Sequence, residues 1–166
     1  KHGHKAICAQ AQTQQIMAEL NKPLGFLGTT QLLEAVSKKQ IAKVRKLLVQ
    51  GAAVNQGSTH DGFAPLHIAA EKGYAEMASL LIGGGAAVQA TSDNGTTPLY
   101  AAAQQGQTKM ARLLIGSGAA VNQARTDNGT TPLHIAAENG HIKLVILLID
   151  RGAAVNQAST DDGTTS

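Results

Sequence analysis

Apolar residues recur along this chain in short stripes with helical spacing, and polar segments rich in turn formers separate the stripes. Leu99, Ala102 and Ala103 form one stripe, and a second runs from Met110 to Ile115 before Gly118. The next segment, AVNQARTDNG, ends in Asn-Gly, which is a strong signal for a tight turn. The pattern predicts a unit of helix, turn and helix, followed by a projecting turn or hairpin that we call a finger.

The unit repeats with a period of 33 or 34 residues. The string GAAV starts at Gly51, Gly85, Gly118 and Gly152, and strings similar to GTTPLHIAAENG start at Gly62, Gly95 and Gly129, with a weaker copy at Gly28 and a truncated one at Gly163. The period predicts a helical lead-in or cap at 1–27 and a repeat domain at 28–166, with repeats at about 28–61, 62–94, 95–128 and 129–162 and a partial fifth at 163–166.

Helix boundaries can also be predicted within each repeat. The pairs Thr97-Pro98 and Thr131-Pro132 are typical of an N-cap followed by proline in the first helical turn. A left-handed glycine is expected to end the same helix, at Gly73, Gly106 and Gly140.

One such unit cannot bury both faces of its helices, so neighbouring units must stack into a solenoid. The string TPLHIAAENG, with GAAVN at this period, resembles the ankyrin repeat over residues 28–166. The resemblance implies an all-α solenoid of helix-turn-helix units with projecting β-turn or hairpin fingers, and a scaffold for protein–protein interaction. It also implies that His67 and His134 bond to backbone between helices, a network that Tyr100 interrupts in the third repeat.

The fingers depart from the family pattern in length and charge. Three are predicted to be longer, Val54–Gly62, Val121–Gly129 and Val155–Gly163, and one shorter, Val88–Gly95. Alanine replaces the family's usual Asp at Ala87, Ala120 and Ala153, so the finger bases lose a charge.

The two ends of the array carry opposite expectations. Residues 5–21 predict a capping helix with Ile16, Met17 and Leu20 on its apolar stripe, or alternatively the tail of an upstream domain. Lys43 and Lys46 replace the apolar residues Met77 and Leu80 of the second repeat, as a cap requires. Conversely, Ile146 replaces Ser79 and Arg112, which predicts that the array continues or self-associates at that face.

Composition limits the function classes. Hydrophobic residues make up 43% of the chain, but Trp is absent and Phe and Tyr total four, which predicts a thin core and disfavours a compact α/β enzyme. A single cysteine favours an intracellular, cytoplasmic location, or the host cytosol if the chain is a secreted bacterial effector. No apolar stretch approaches the roughly 20 residues of a membrane span, and no Cys/His spacing predicts a metal site.

Charge is unevenly distributed. Residues 1–46 carry eight basic and two acidic residues, whereas residues 47–166 carry six and nine. Because the basic part lacks stacking aromatics, a solvated cap is favoured over nucleic-acid binding. Aspartates recur near the finger tips, where they either bond to the turn backbone or form an acidic ridge for a basic partner: Asp61, Asp93, Asp127, Asp161 and Asp162.

No nucleophile with a base and orienting group, no phosphate loop and no cofactor motif is present, so no catalytic residues or cofactors are predicted. The expected partner is another protein, bound by finger tips and inner-helix ends. The candidates are His60, Asp61, Phe63, Glu71, Lys72, Asp93, Asn94, Thr96, Gln104, Gln105, Asp127, Asn128, Thr130, Glu138 and Asn139. Phe63 is either a binding hot spot or a finger packing residue.

Two other functions stay open. The chain could be the recruitment arm of a larger enzyme or of a secreted bacterial effector whose catalytic part lies elsewhere. It could also be a substrate for hydroxylation at Asn55, Asn122 and Asn156, although the missing Asp before each Val-Asn pair disfavours that alternative.

Overall fold

The computed structural model describes residues 2–22 and 30–156, with residues 2–11 described as backbone only. This part of the chain forms helices joined by turns and contains no strand. The helices are α1 (His2–Asn21), α2 (Gln31–Ser37), α3 (Ile41–Val49), α4 (Pro65–Glu71), α5 (Ala75–Gly83), α6 (Pro98–Gln104), α7 (Thr108–Gly116), α8 (Pro132–Glu138) and α9 (Ile142–Asp150). The predicted all-α solenoid is confirmed, and its described fingers are turns.

Of the inner helices α2, α4, α6 and α8, the last two begin as the sequence predicts. Thr97 and Thr131 are N-caps whose side chains accept hydrogen bonds from the backbone N–H three residues later, and Pro98 and Pro132 are the first helical residues. The proline lacks only an N–H that the first turn would leave without a helical partner.

Left-handed residues end the inner helices. Gly73, Gly106 and Gly140 have φ of 68°, 66° and 70°, which confirms the predicted glycine positions. In the first repeat Lys39 takes the same conformation, with φ of 54°, and its ammonium lies 5.0 Å from the centre of the Tyr74 ring. The turn is therefore kept where glycine is absent, although a residue with a Cβ is strained there.

A single thin core runs through all the repeats. Alanines at the middle of the inner helices, among them Ala69 and Ala102, are completely buried, so neighbouring helices approach closely. Inner helices pack against each other more closely than the outer helices α3, α5, α7 and α9 do. The array is therefore curved, with the inner helices on its concave side.

Helix α1 packs against the first repeat. Leu20 is buried and Met17 half-buried, whereas Ile16 is exposed. At the end of the helix, the Asn21 side-chain oxygen accepts a hydrogen bond from the Ala53 N–H at 2.7 Å, and its carbonyl accepts one from the Gln56 side chain at 3.1 Å. The structure has a helix here, and it starts at residue 2 instead of residue 5.

The outer helices at the two ends differ in character. Lys43 and Lys46 of α3 are exposed, as predicted for a polar end. Helix α9 instead exposes Ile142, Ile146 and Ile149. The 55% exposure of Ile146 confirms that this position, which Ser79 and Arg112 occupy in the preceding repeats, faces water. Most of the fourth finger and the partial fifth repeat at 163–166 lie outside the described residues, as do Asp161 and Asp162.

Candidate functional site

Each described finger tip is closed by the same turn. The side-chain oxygen of Asp61, Asn94 or Asn128 accepts a hydrogen bond from the N–H two residues later, at 3.0, 3.2 and 3.0 Å. These are Asx turns, in which a short polar side chain replaces a backbone acceptor. The backbone turns differ in size, because Ser58 pairs with Phe63 and Arg125 with Thr130, whereas Ser92 pairs with Thr96. The two longer fingers and the shorter one are confirmed for the described residues.

Neighbouring tips are joined by backbone hydrogen bonds. The Asp93 N–H donates to the Asp61 carbonyl at 3.2 Å, and the Thr126 N–H donates to the Asn94 carbonyl at 3.1 Å. Close approach is essential here, since a Cβ on Gly95 would lie 2.5 Å from the Thr126 nitrogen. The tips therefore form one continuous row.

His67 ties the second repeat to the third. The ring is fully buried, its Nδ1 accepts from the Ala64 N–H at 3.1 Å, and its Nε2 lies 2.9 Å from the Thr96 carbonyl oxygen, to which it donates. Burial lowers the pKa of His67 and outweighs the raising effect of the bond to Thr96. The geometry is that of a neutral structural histidine.

Tyr100 takes the place of histidine in the third repeat and makes a different connection. It is buried, and the Arg125 guanidinium lies 5.4 Å from the centre of its ring. Arg125 also forms an ion pair with Asp127, which lowers the pKa of that carboxyl group. The interrupted network is thus replaced by a link from the inner helix to the third finger, which sequence reasoning missed.

A cavity of about 250 Å³ opens on the concave side beside the first finger. Leu33, Ile68 and Phe63 supply its apolar walls, and Ser37 and Asp61 lie among its polar lining. Phe63 is half-buried, and its ring stacks on the His67 ring with the centres 5.2 Å apart. Phe63 therefore both packs on the finger side and lines an open cavity.

Most predicted contact residues lie on the concave surface, which we define as the finger tips and the exposed ends of the inner helices. The exposed ones are His60, Asp61, Lys72, Asp93, Gln104, Gln105, Asp127, Glu138 and Asn139, and the half-buried ones are Phe63, Glu71, Asn94, Asn128 and Thr130. Thr96 is different. It is only 4% exposed and its hydroxyl donates to Asn94 at 2.7 Å, so the expectation of a free tip residue there is wrong.

Comparison with protein families decides what the array is. A family model described as ankyrin repeats (3 copies) matches residues 3–92, 32–125 and 80–161, which together span most of the chain. The chain belongs to the ankyrin-repeat family. A search of curated proteins found no significant match. Ankyrin repeats are generally protein–protein interaction modules and are typically non-catalytic.

Asparagines at the start of the fingers connect consecutive ankyrin repeats. Asn55 accepts from the Ala87 N–H at 2.7 Å and donates to the Gly85 carbonyl at 3.1 Å. Asn122 makes the equivalent pair with the next repeat, and Asn21 of α1 accepts from Ala53 in the same way. Gln89 occupies this register in the second repeat. The side chains considered for hydroxylation thus already bond to the neighbouring repeat at Asn55 and Asn122.

The described residues contain neither a candidate metal site nor a candidate membrane span. Within residues 2–22 and 30–156, no group of three or more His, Cys, Asp or Glu side chains could hold a metal ion. No helix in the same part of the chain is long and apolar enough to span a bilayer.

Proposed function

We propose that this ankyrin array is a scaffold that binds another protein through its concave surface. The proposal rests on the observation that the exposed side chains of the concave surface are different from those that hold the fold together. Lys72, Gln105 and Glu138 are exposed at inner-helix ends, whereas the fold is held by buried apolar residues and backbone caps. Side chains that the fold does not use are free to contact a partner.

Charge and shape along this surface favour selective binding. Exposed Asp61 and Asp93 occupy neighbouring tips that the backbone holds in a row. Asp127 continues the row but is paired with Arg125. The acidic character is therefore strongest at the first two fingers, next to the cavity. Fixed charges of this kind contribute mainly to specificity and association rate.

Proximity labelling in cells with the wild type and a triple variant, Phe63→Ala, Lys72→Glu and Gln105→Ala, tests the proposal. A matched control carries Lys109→Glu on the exposed side of outer helix α7. We expect the triple variant to lose a set of neighbours that the control keeps. Identical neighbour sets for the triple variant and the wild type would overturn the proposal, provided that circular dichroism shows both folded.

A further inference from the structure

The cavity beside the first finger has a size suited to a side chain. Its volume of about 250 Å³ lies below the roughly 300–1,000 Å³ of small-molecule pockets. Leu33 and Ile68 come from neighbouring inner helices, and Phe63 comes from the finger between them. An apolar group that enters would therefore contact two repeats at once.

Two departures from the repeat accompany this opening. Ser37 stands in the register that Glu71, Gln104 and Glu138 occupy in later repeats, so a short side chain replaces a long one at the mouth. Phe63 stands where later repeats have Thr96 and Thr130, and it adds an apolar wall. The opening thus reflects the particular residues of the first repeat.

The rim of the cavity carries one negative charge that lacks a cationic partner. Glu34 is neutralised by Lys38, whose nitrogen lies 2.6 Å from its carboxylate. Among the described residues Asp61 forms no ion pair, and it is exposed. Partial burial opposes its ionisation, but hydrogen bonds from the Ser58 hydroxyl and the Phe63 N–H lower its pKa overall. Asp61 is therefore charged at neutral pH.

We propose that this cavity anchors one aliphatic or aromatic side chain of a partner protein, and that a Lys or Arg next to that side chain pairs with Asp61. The inference rests on the proposed function, because it names the partner chemistry of the same concave surface. Burial of an apolar side chain supplies affinity, and the single charge selects the neighbouring residue.

The repeats themselves supply the test variants. Ser37→Gln places at the mouth the residue that α6 carries at Gln104, and Ser79→Gln makes the same change on the exposed outer face of α5. Asp61→Asn removes the charge and keeps the turn, because Asn94 and Asn128 close their turns with the same amide oxygen. Asp150→Asn, at the exposed end of outer helix α9, is its control.

Random 12-residue peptides displayed on phage are selected on the wild-type chain, and the affinities of selected peptides are measured by fluorescence polarisation. We expect enrichment of an aliphatic or aromatic residue within about two positions of Lys or Arg. Ser37→Gln should weaken binding about tenfold or more. Asp61→Asn should weaken it about two- to fivefold and reduce its salt dependence. Both controls should bind as the wild type does.

Several results would overturn the inference. One is that the phage selection yields no binding peptide, and another is that the selected peptides lack an apolar residue close to Lys or Arg. A third is that the Ser37→Gln and Ser79→Gln chains bind the peptides with equal affinity. Self-association that Ser37→Gln abolishes in sedimentation velocity would identify the occupant as a second copy and would also overturn it. If no such peptides are selected but the triple variant still loses neighbours in cells, the assignment of this cavity as the anchoring pocket is wrong and the proposed function stands.

Discussion

The buried histidine between the second and third repeats gives the sharpest prediction about stability. We expect His67→Leu to lower the free energy of unfolding by about 1–3 kcal/mol. The substitution removes the ring partner of the Ala64 N–H and of the Thr96 carbonyl in a fully buried position. The Ala64 N–H is left without a partner, at a cost of roughly 1–3 kcal/mol, whereas the Thr96 carbonyl keeps its bond from the Ser92 N–H. The added apolar leucine offsets part of the loss. Leucine suits the helix, because Leu33 occupies this register in α2.

Equilibrium unfolding in urea measures this difference, with His60→Leu as a matched control. His60 is exposed, so its replacement should change stability by less than about 0.5 kcal/mol. Equal effects of the two substitutions would refute the assignment of His67 as the residue whose hydrogen bond joins the second repeat to the third.

The same histidine predicts a dependence on pH. Burial lowers the pKa of His67 in the folded chain, so the unfolded chain binds more protons below its own histidine pKa of about 6.5. The contribution of His67 is therefore complete above that pH and is lost as the pH falls toward the folded pKa. Between about pH 7.5 and 5.5 the wild type should lose more stability than His67→Leu does. Parallel curves would contradict the buried neutral state.

Three further predictions concern the joints and surfaces of the array. Gln89→Asn should raise the free energy of unfolding, measured in urea, by about 0.5–1.5 kcal/mol, because an asparagine there can accept from the Ala120 N–H as Asn55 does from the Ala87 N–H. If Gln89→Asn gains no more than the control Gln123→Asn, asparagine at this position does not stabilise the joint between repeats. Gly106→Ala should lower the melting temperature, because φ is 66° and a Cβ would lie 2.6 Å from the His141 ring, whereas Gly83→Ala has open space; equal melting temperatures would disprove the steric argument. Ile146→Arg introduces the residue that α7 carries at Arg112. Because Ile146 is exposed, this substitution should change the free energy of unfolding by less than about 0.5 kcal/mol and should reduce any self-association measured by sedimentation velocity. A loss above about 2 kcal/mol would show that Ile146 is packed internally.

The sequence predicted the local structure well because each signal acts within a few residues. Thr97 and Pro98 define a helix start, and Gly106 defines its end, through backbone geometry that neighbouring repeats barely alter. Lys39 shows the limit of this reasoning. Residue type alone does not predict a left-handed lysine, and local hydrogen bonds from the Lys39 N–H to Val36 and from the Gln40 N–H to Ala35 accompany that conformation.

The candidate surface was predicted less completely, since it depends on contacts between repeats. Thr96 was expected at an exposed tip, but the shorter second finger buries it beneath Asn94. The link from Tyr100 to Arg125 joins residues 25 positions apart and leaves no periodic signal. The cavity could have been anticipated from Ser37, the short residue in a register of long ones.

Hydrogen–deuterium exchange of the chain, free and bound to a partner captured by proximity labelling, tests the central claim most directly. The account predicts slower exchange on binding at the finger tips, above all at residues 58–63, and at the ends of α4 and α6. The outer helices α5 and α7 should exchange at unchanged rates. Protection confined to the outer helices, with the finger tips unaffected, would contradict binding through the concave surface.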